Sequence, residues 1–476
     1  MTSPGRGTAH LIVAQGVLLV SGFVVSIILA RGLGAAVFGV YGVVMSVLGW
    51  LERVLHAGIP GATAALLARD PASGQGVEKS ARLMMLLWSL PLFALLLLLA
   101  PALGAYFGMA SGTTIFRIAA FNIPAMALFM VYVGILNGRH RFAAAAGVQI
   151  VQSIAKLAGI LLLFAVGLSI TRVFVAHVAA SLLPAAIALL AYPLIGAPAS
   201  RKMMATILRI ALPLTVFSVT LVVLMNLSLW QLQAQGAGNA ATVGHYVAST
   251  NLTKMLMLVP TTTSGVLFVA VARAVANSRP DLVAKYVQEA GRFALITLLP
   301  VCVLLWIDAE QVMLLLYGAD YAGGGRMLGI LCIAIAMVAL LDIHFHALMA
   351  RGLQVQVAVA LAALLPVQFI LNRLWIPQAG AEGAALASLA SFSLGAVAAA
   401  VFAYRYFGQL MKWATLLRVV AASLIVGAIS LLTPASGLLI VVKFGALMLV
   451  YLALLFVSRE LTVHDLKPFA LWKADR

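Results

Sequence analysis

Blocks of about 20 apolar residues recur along the chain with short polar or charged breaks between them. That is the length a helix needs to cross a ~30 Å hydrocarbon core. The pattern predicts fourteen spans: 9–30, 36–57, 83–107, 114–137, 144–166, 172–195, 208–232, 243–271, 291–307, 326–350, 354–376, 381–405, 413–433 and 438–457. The stretch 291–307 is short and is interrupted by Pro300. The first span follows only Arg6 and is too long for the apolar core of a cleavable signal, so it reads as a retained first helix. No intervening loop is long enough to fold as a domain outside the membrane.

Composition turns this pattern into a class. Of the 476 residues, 64% are hydrophobic and 9% are charged, with a mean hydropathy of +1.12. A soluble domain carries roughly 25% charged residues, so a water-soluble globule is excluded. Gly and Pro within the apolar runs suit membrane helices. The two cysteines, Cys302 and Cys332, lie in apolar stretches, which excludes a disulfide framework and a cysteine-based metal site. The predicted fold is an all-α integral membrane protein of about 14 transmembrane helices.

Lys and Arg number 30 against 13 Asp and Glu, a net charge of +17. With the N-terminus placed inside, 21 basic residues fall on the inner side and 6 on the outer, and Arg53, Lys156 and Lys254 lie within spans. Cytoplasmic loops carry the excess of Lys and Arg, so both termini are expected in the cytoplasm. The net charge then reports topology and attraction to anionic lipid. No loop has the basic run with interleaved aromatics that nucleic-acid binding would need.

The halves of the chain echo each other. Gly39-Val40-Tyr41 matches Gly244-His245-Tyr246, Phe116-Arg117-Ile118 matches Gly325-Arg326-Met327, and Tyr106-Phe107-Gly108 matches Leu316-Tyr317-Gly318. Asn137-Gly138 matches Arg351-Gly352, and the inner loops 58–82 and 272–290 fall at equivalent places. Six spans per repeat is an even number, so the copies point the same way and should be related by a pseudo-two-fold axis along the membrane normal. The expected organisation is an N-terminal lobe, 1–200, with helices 1–6, and a C-terminal lobe, 201–406, with helices 7–12. Residues 407–476 add two extra helices and a cytoplasmic tail.

Several segments carry a resemblance. Ala30-Arg31-Gly32-Leu33-Gly34, Phe38-Gly39-Val40-Tyr41, Gly58-Ile59-Pro60, Leu136-Asn137-Gly138-Arg139-His140-Arg141-Phe142 and Leu316-Tyr317-Gly318-Ala319-Asp320-Tyr321 resemble landmarks of the polysaccharide (O-antigen type) flippases. These belong to the multidrug/oligosaccharidyl-lipid/polysaccharide exporter superfamily. The resemblance covers roughly residues 9–406. It implies two six-helix bundles around a central cavity, and movement of undecaprenyl diphosphate-linked oligosaccharide across the bacterial inner membrane for surface polysaccharide assembly. Polysaccharide polymerase or other assembly proteins are the partners it suggests, beside membrane lipid. The two additional C-terminal spans resemble the fourteen-helix members, which include the lipid II flippases.

Ionisable residues inside spans cost roughly 2.5–3.5 kcal/mol each on insertion scales and are usually functional. On span 5, Gln149, Gln152, Ser153 and Lys156 fall on one helix face; on span 8, Thr250, Asn251, Lys254 and Thr261 do so in the other half. Two lysines facing a shared cavity would seat a diphosphate or an acidic sugar, with Arg53 assisting. Arg31, Arg117 and Arg326 either line the rim of that cavity or snorkel at the interface. Glu52, His56, Asp342 and His346 are coupling candidates; alternatively, Glu52–His56 and Asp342–His346 are i,i+4 pairs that satisfy one another. A proton or sodium gradient as energy source is left open.

No Walker A loop or His-Glu-x-x-His pattern is present, and His344-Phe345-His346 is a poor metal pair because i,i+2 residues diverge on a helix. Asp308-Ala309-Glu310 reads as the polar start of a short outer helix, and Lys443 as an outer charge. No catalytic residue, cofactor or metal is expected. Two other classes stay in view. One is a cation-coupled multidrug exporter of the same superfamily, which would favour intramembrane carboxylates. The other is a membrane-embedded polysaccharide polymerase or ligase, which would need a larger outer loop.

Overall fold

The computed structural model describes residues 4–56, 58–69, 74–191, 199–236, 240–408 and 412–462. Almost all of them are helical, in the order α1 (Pro4–His56), α2 (Ile59–Arg69), α3 (Gly74–Tyr106), α4 (Gly112–Ala120), α5 (Asn122–Gly138), α6 (Phe142–Val166), α7 (Ile170–Ala191) and α8 (Arg201–Ala234). There follow α9 (Ala240–Leu256), α10 (Leu258–Ala276), α11 (Pro280–Ile307), α12 (Ala309–Tyr317), a 3-10 turn (Ala319–Gly324), α13 (Gly325–Ala350), α14 (Gln354–Phe407), α15 (Trp413–Leu432) and α16 (Leu439–Val457). The tail expected after the last span, 463–476, lies outside the described residues.

Among the described residues, twelve helical stretches are long and apolar enough to cross a membrane, and the chain is a multi-pass membrane protein. Two of the twelve are of double length and bend at a glycine, which accounts for the fourteen spans read from the sequence. α1 would run ~80 Å if straight; it turns at Gly34, where φ is 75° and ψ 163°. α14 turns at Gly380, where φ is 55° and ψ −129°. Both conformations are open to glycine and strained for any residue with a Cβ.

Three details depart from the sequence reading. The segments 58–82 and 272–290, expected as loops, are mostly helical, because α2 and the starts of α3 and α11 extend through them. The span 243–271 is two helices that break at Met257, three residues before Pro260; Pro at the first turn of α10 cannot supply the N–H that would continue α9. The doubtful 291–307, by contrast, is the end of a continuous 28-residue helix that runs through Pro300.

Contacts divide the chain into two compact units: Met1–Val247 with Leu361–Ala384, and Ala248–Ala360 with Ala385–Arg476. In the first, α5 is the central helix and is buried along most of its length. α1 packs on α6 and α8. The first part of α14 joins this unit through fully buried polar contacts: Gln368 donates to Ser228 Oγ and Ser228 to Asn372 Oδ1, both at 2.9 Å. In the second unit α13 is central and almost wholly buried, with α10 and α11 against it.

The repeat is visible in the backbone. The left-handed positions Gly34, Gly108, His140 and Gly167 recur as Gly236, Gly318, Gly352 and Gly380, each pair roughly 210 residues apart. α15 and α16 stand outside this repeat and are bound to α11. Leu295, Ile296 and Leu304 pack against Val419, Ala422, Val426, Leu447 and Leu455, and Tyr451 donates to the Ile296 carbonyl at 3.0 Å.

Candidate functional site

In the first unit the candidate residues gather where α1, α5, α6 and α7 meet. The i,i+4 pairing of Glu52 with His56, one of the two readings of these residues, does not form. Glu52 instead accepts a hydrogen bond from Asn122 Nδ2, at the start of α5, and His56 Nε2 has no hydrogen-bond partner. Tertiary packing wins here because α5 brings an amide donor to the carboxylate. Lys156 of α6 and the neighbouring Arg53 stand close enough for their charges to act on Glu52. His177 of α7 is buried, feels the charge of Lys156, and lies edge-on to Tyr41 with ring centroids 6.2 Å apart.

The α6 stripe keeps its predicted face but divides its work. Gln149 Nε2 donates to the Ala145 carbonyl at 3.2 Å, Ser153 to the Gln149 carbonyl at 3.0 Å, and Gln152 to the Met126 sulfur at 3.0 Å. Lys156, half-buried at the end of the stripe, makes no hydrogen bond or salt bridge among the described residues. Arg53 is exposed and likewise makes none among those residues. Among the described residues of the first unit, Arg53 and Lys156 thus share Glu52, itself hydrogen-bonded by Asn122, as a carboxylate near enough to feel their charge. Arg31 and Arg117, on α1 and α4, are both exposed.

In the second unit Lys254 is exposed on α9 and has no hydrogen bond or salt bridge among the described residues. Asn251 is half-buried one turn earlier. Thr261 leaves their stripe, because the break at Met257 puts it on α10, where its hydroxyl caps the Met257 carbonyl at 2.7 Å. Asp342 and His346 do meet across one turn of α13, His346 Nδ1 lying 3.3 Å from Asp342 Oδ1. The other carboxylate oxygen of Asp342 is buried without a hydrogen-bond partner. Arg326 is exposed at the start of α13.

Sequence reasoning missed a second set of charges. Lys443, read as an outer charge, is buried inside α16 and sits 2.8 Å from Asp308, which also accepts a 2.8 Å hydrogen bond from Ser430. At the other end of the same helices, Glu460 receives Arg292 at 3.0 Å and Arg418 at 3.1 Å, and Arg292 also pairs with Glu289. In the first unit Glu78 takes Arg82 and Arg139, and the Arg82 guanidinium lies over the Tyr132 ring at 5.0 Å. The available signal was a lone lysine inside the last apolar block, which needed a carboxylate somewhere.

Comparison with known proteins agrees with this architecture. The family model described as "Polysaccharide biosynthesis protein" matches residues 5–268. No curated protein matches the chain. Among solved structures it is similar to the lipid II flippase MurJ in an inward closed conformation, at 15% identity over 94% of this chain and 98% of that one, with a TM-score of 0.78. A multidrug resistance MATE family transporter of the MOP superfamily, inward-facing, aligns at 14% identity over 82% of this chain and 94% of its own, with a TM-score of 0.73. A MOP superfamily transporter from Pyrococcus furiosus aligns at 14% identity over 85% and 95%, with a TM-score of 0.62. At such identities the likeness establishes the fold.

Proposed function

This chain belongs to the polysaccharide biosynthesis protein family, and from that premise we propose that it is a flippase for lipid-linked oligosaccharide of the undecaprenyl diphosphate type. The observation that carries this reading is the excess of cations within the spans, Arg53, Lys156 and Lys254 against the carboxylates Glu52 and Asp342. Arg53, Lys156 and Lys254 lie within spans and make no hydrogen bond or salt bridge among the described residues. Glu52 is held by Asn122 and Asp342 by His346, while Asp308 and Lys443 neutralise each other. An unpaired cation at membrane depth is costly and marks a substrate or ion path. The surplus is positive, which suits a diphosphate or an acidic sugar better than a cationic drug. Lysine serves as a strong point charge that can follow a moving phosphate.

Alternating access in this reading comes from rocking of two lobes, 1–200 and 201–406, with both termini in the cytoplasm of a bacterial inner membrane. Glu52 and Asp342, with His56 and His346, are the positions at which a proton or sodium gradient would couple. The test is a deletion strain: loss of the protein should trap undecaprenyl-linked oligosaccharide on the inner leaflet and abolish a surface polymer. An unchanged polymer together with new sensitivity to cationic dyes would favour the multidrug-exporter alternative.

A further inference from the structure

Ser46, Gly49, Trp50 and Arg53 fall at i, i+3, i+4 and i+7 on α1 and share one face. Glu52, held by Asn122, belongs to a different side of the helix. Within the same unit, Trp230 of α8 leans on this face. Its indole N–H donates to Ser46 Oγ at 2.7 Å, and the two indoles meet edge to face, centroids 6.1 Å apart at 73°. Both indoles are only partly buried.

Core packing alone leaves two facts unexplained. The Trp50 N–H is shielded from solvent yet has no hydrogen-bond partner, which a satisfied core would not leave. A side chain built at Gly49, on the same face, would meet no atom within 4 Å beyond its chain neighbours and its own helix backbone. The space at Gly49 thus lies on the same helix face as the indole and its unused donor. Arg53, one turn beyond Trp50, is exposed and without a hydrogen bond.

A ligand that fits these features has an apolar ring face, hydroxyls at its rim and an adjoining anion. Aromatic faces carry the negative part of the ring quadrupole, so they attract the polarised C–H groups on one side of a pyranose. A sugar hydroxyl can accept the Trp50 N–H, and the planar guanidinium of Arg53 matches a phosphate. We propose that Trp50 and Trp230 form a saccharide subsite, where the sugar next to the diphosphate stacks on the indoles while Arg53 takes the adjoining phosphate. The inference rests on the flippase reading and adds which end of the substrate α1 recognises.

The experiment measures binding by the full chain in lipid nanodiscs to two probes: bare undecaprenyl diphosphate, and undecaprenyl diphosphate carrying one N-acetylglucosamine. The wild type should bind the glycosylated lipid about tenfold more tightly, the size that one good aromatic contact supplies. Trp50→Leu should bind both lipids alike, at the wild-type affinity for the bare one. Arg53→Gln should weaken both to the same extent. Trp50→Phe, which keeps a ring and loses the N–H, should retain an intermediate preference and serves if Trp50→Leu does not insert. An unchanged preference in Trp50→Leu, or a wild-type preference in Trp50→Phe, overturns the proposal. Equal wild-type binding of the two lipids overturns the subsite and leaves the flippase reading standing; binding of neither overturns both.

Discussion

Lys443 and Asp308 show what one residue can hide. A lysine alone in an apolar block is a topology signal or an error in the span; paired at 2.8 Å with a carboxylate that also holds Ser430, it is a buried ion pair. Removing one member of such a pair strands the other charge, at a cost of about 3–5 kcal/mol. Asp308→Ala should therefore lower the thermal unfolding midpoint of the purified protein sharply, as read by thermofluor in detergent. The double variant Asp308→Leu, Lys443→Met should recover most of the loss, because no charge is left unpaired. Lys156 and Lys254 belong to the opposite case. Neither is fixed by a hydrogen bond, so Lys156→Ala and Lys254→Ala should preserve protein level on immunoblots while abolishing complementation of the deletion strain. Arginine at either position should retain more function than alanine. Full activity of the double alanine variant would sink the cationic-cavity reading.

Among the elements, the repeat-related glycines that stand out in the sequence turn out to touch. Gly39 of α1 and Gly244 of α9 pack backbone to backbone: a Cβ on Gly39 would lie 2.8 Å from the Gly244 nitrogen, and one on Gly244 would run into the Ala35 carbonyl. Small residues let membrane helices approach this closely, where packing rather than hydrophobicity drives association. Gly244→Val should lower the unfolding midpoint by several degrees, as overpacking of a tight contact costs about 1–3 kcal/mol. The kink at Gly34 answers to backbone conformation instead, since nothing lies near its missing side chain. Gly34→Ala should therefore impair function through strain, seen as partial loss of complementation without loss of expression. α15 and α16 are fastened to α11 at its C-terminal end by Lys443–Asp308 and near its middle by Arg292–Glu460–Arg418.

For the molecule as a whole, the charge asymmetry makes a prediction about membrane orientation. Fluorescent cytoplasmic reporters fused after Arg82, Arg141 and Lys202 should be active, and alkaline phosphatase fused near Ala110 and Gly324 should report from the outside. An outward-facing C-terminus would require one span fewer. The short stretch 291–307 is the end of a helix that continues through Pro300.

The class of the protein, its span positions and its internal repeat were legible in the sequence. Each rests on a local quantity: apolar run length, backbone-permissive glycines, and the spacing of short motifs. The all-helical fold follows from the same source, because a backbone in lipid must satisfy its own hydrogen bonds. Pairing of side chains was not legible. Whether Glu52 would turn to His56 on its own helix or to Asn122, 70 residues away, depended on how α5 packs against α1. The Asp308–Lys443 pair joins residues 135 apart, and the Trp50–Trp230 contact joins positions that no local periodicity relates. A sequence sets which residues must find partners at membrane depth, since burial of an unpaired polar group is expensive. Only the tertiary structure decides which partner each one finds, because helix packing fixes the few side chains within reach.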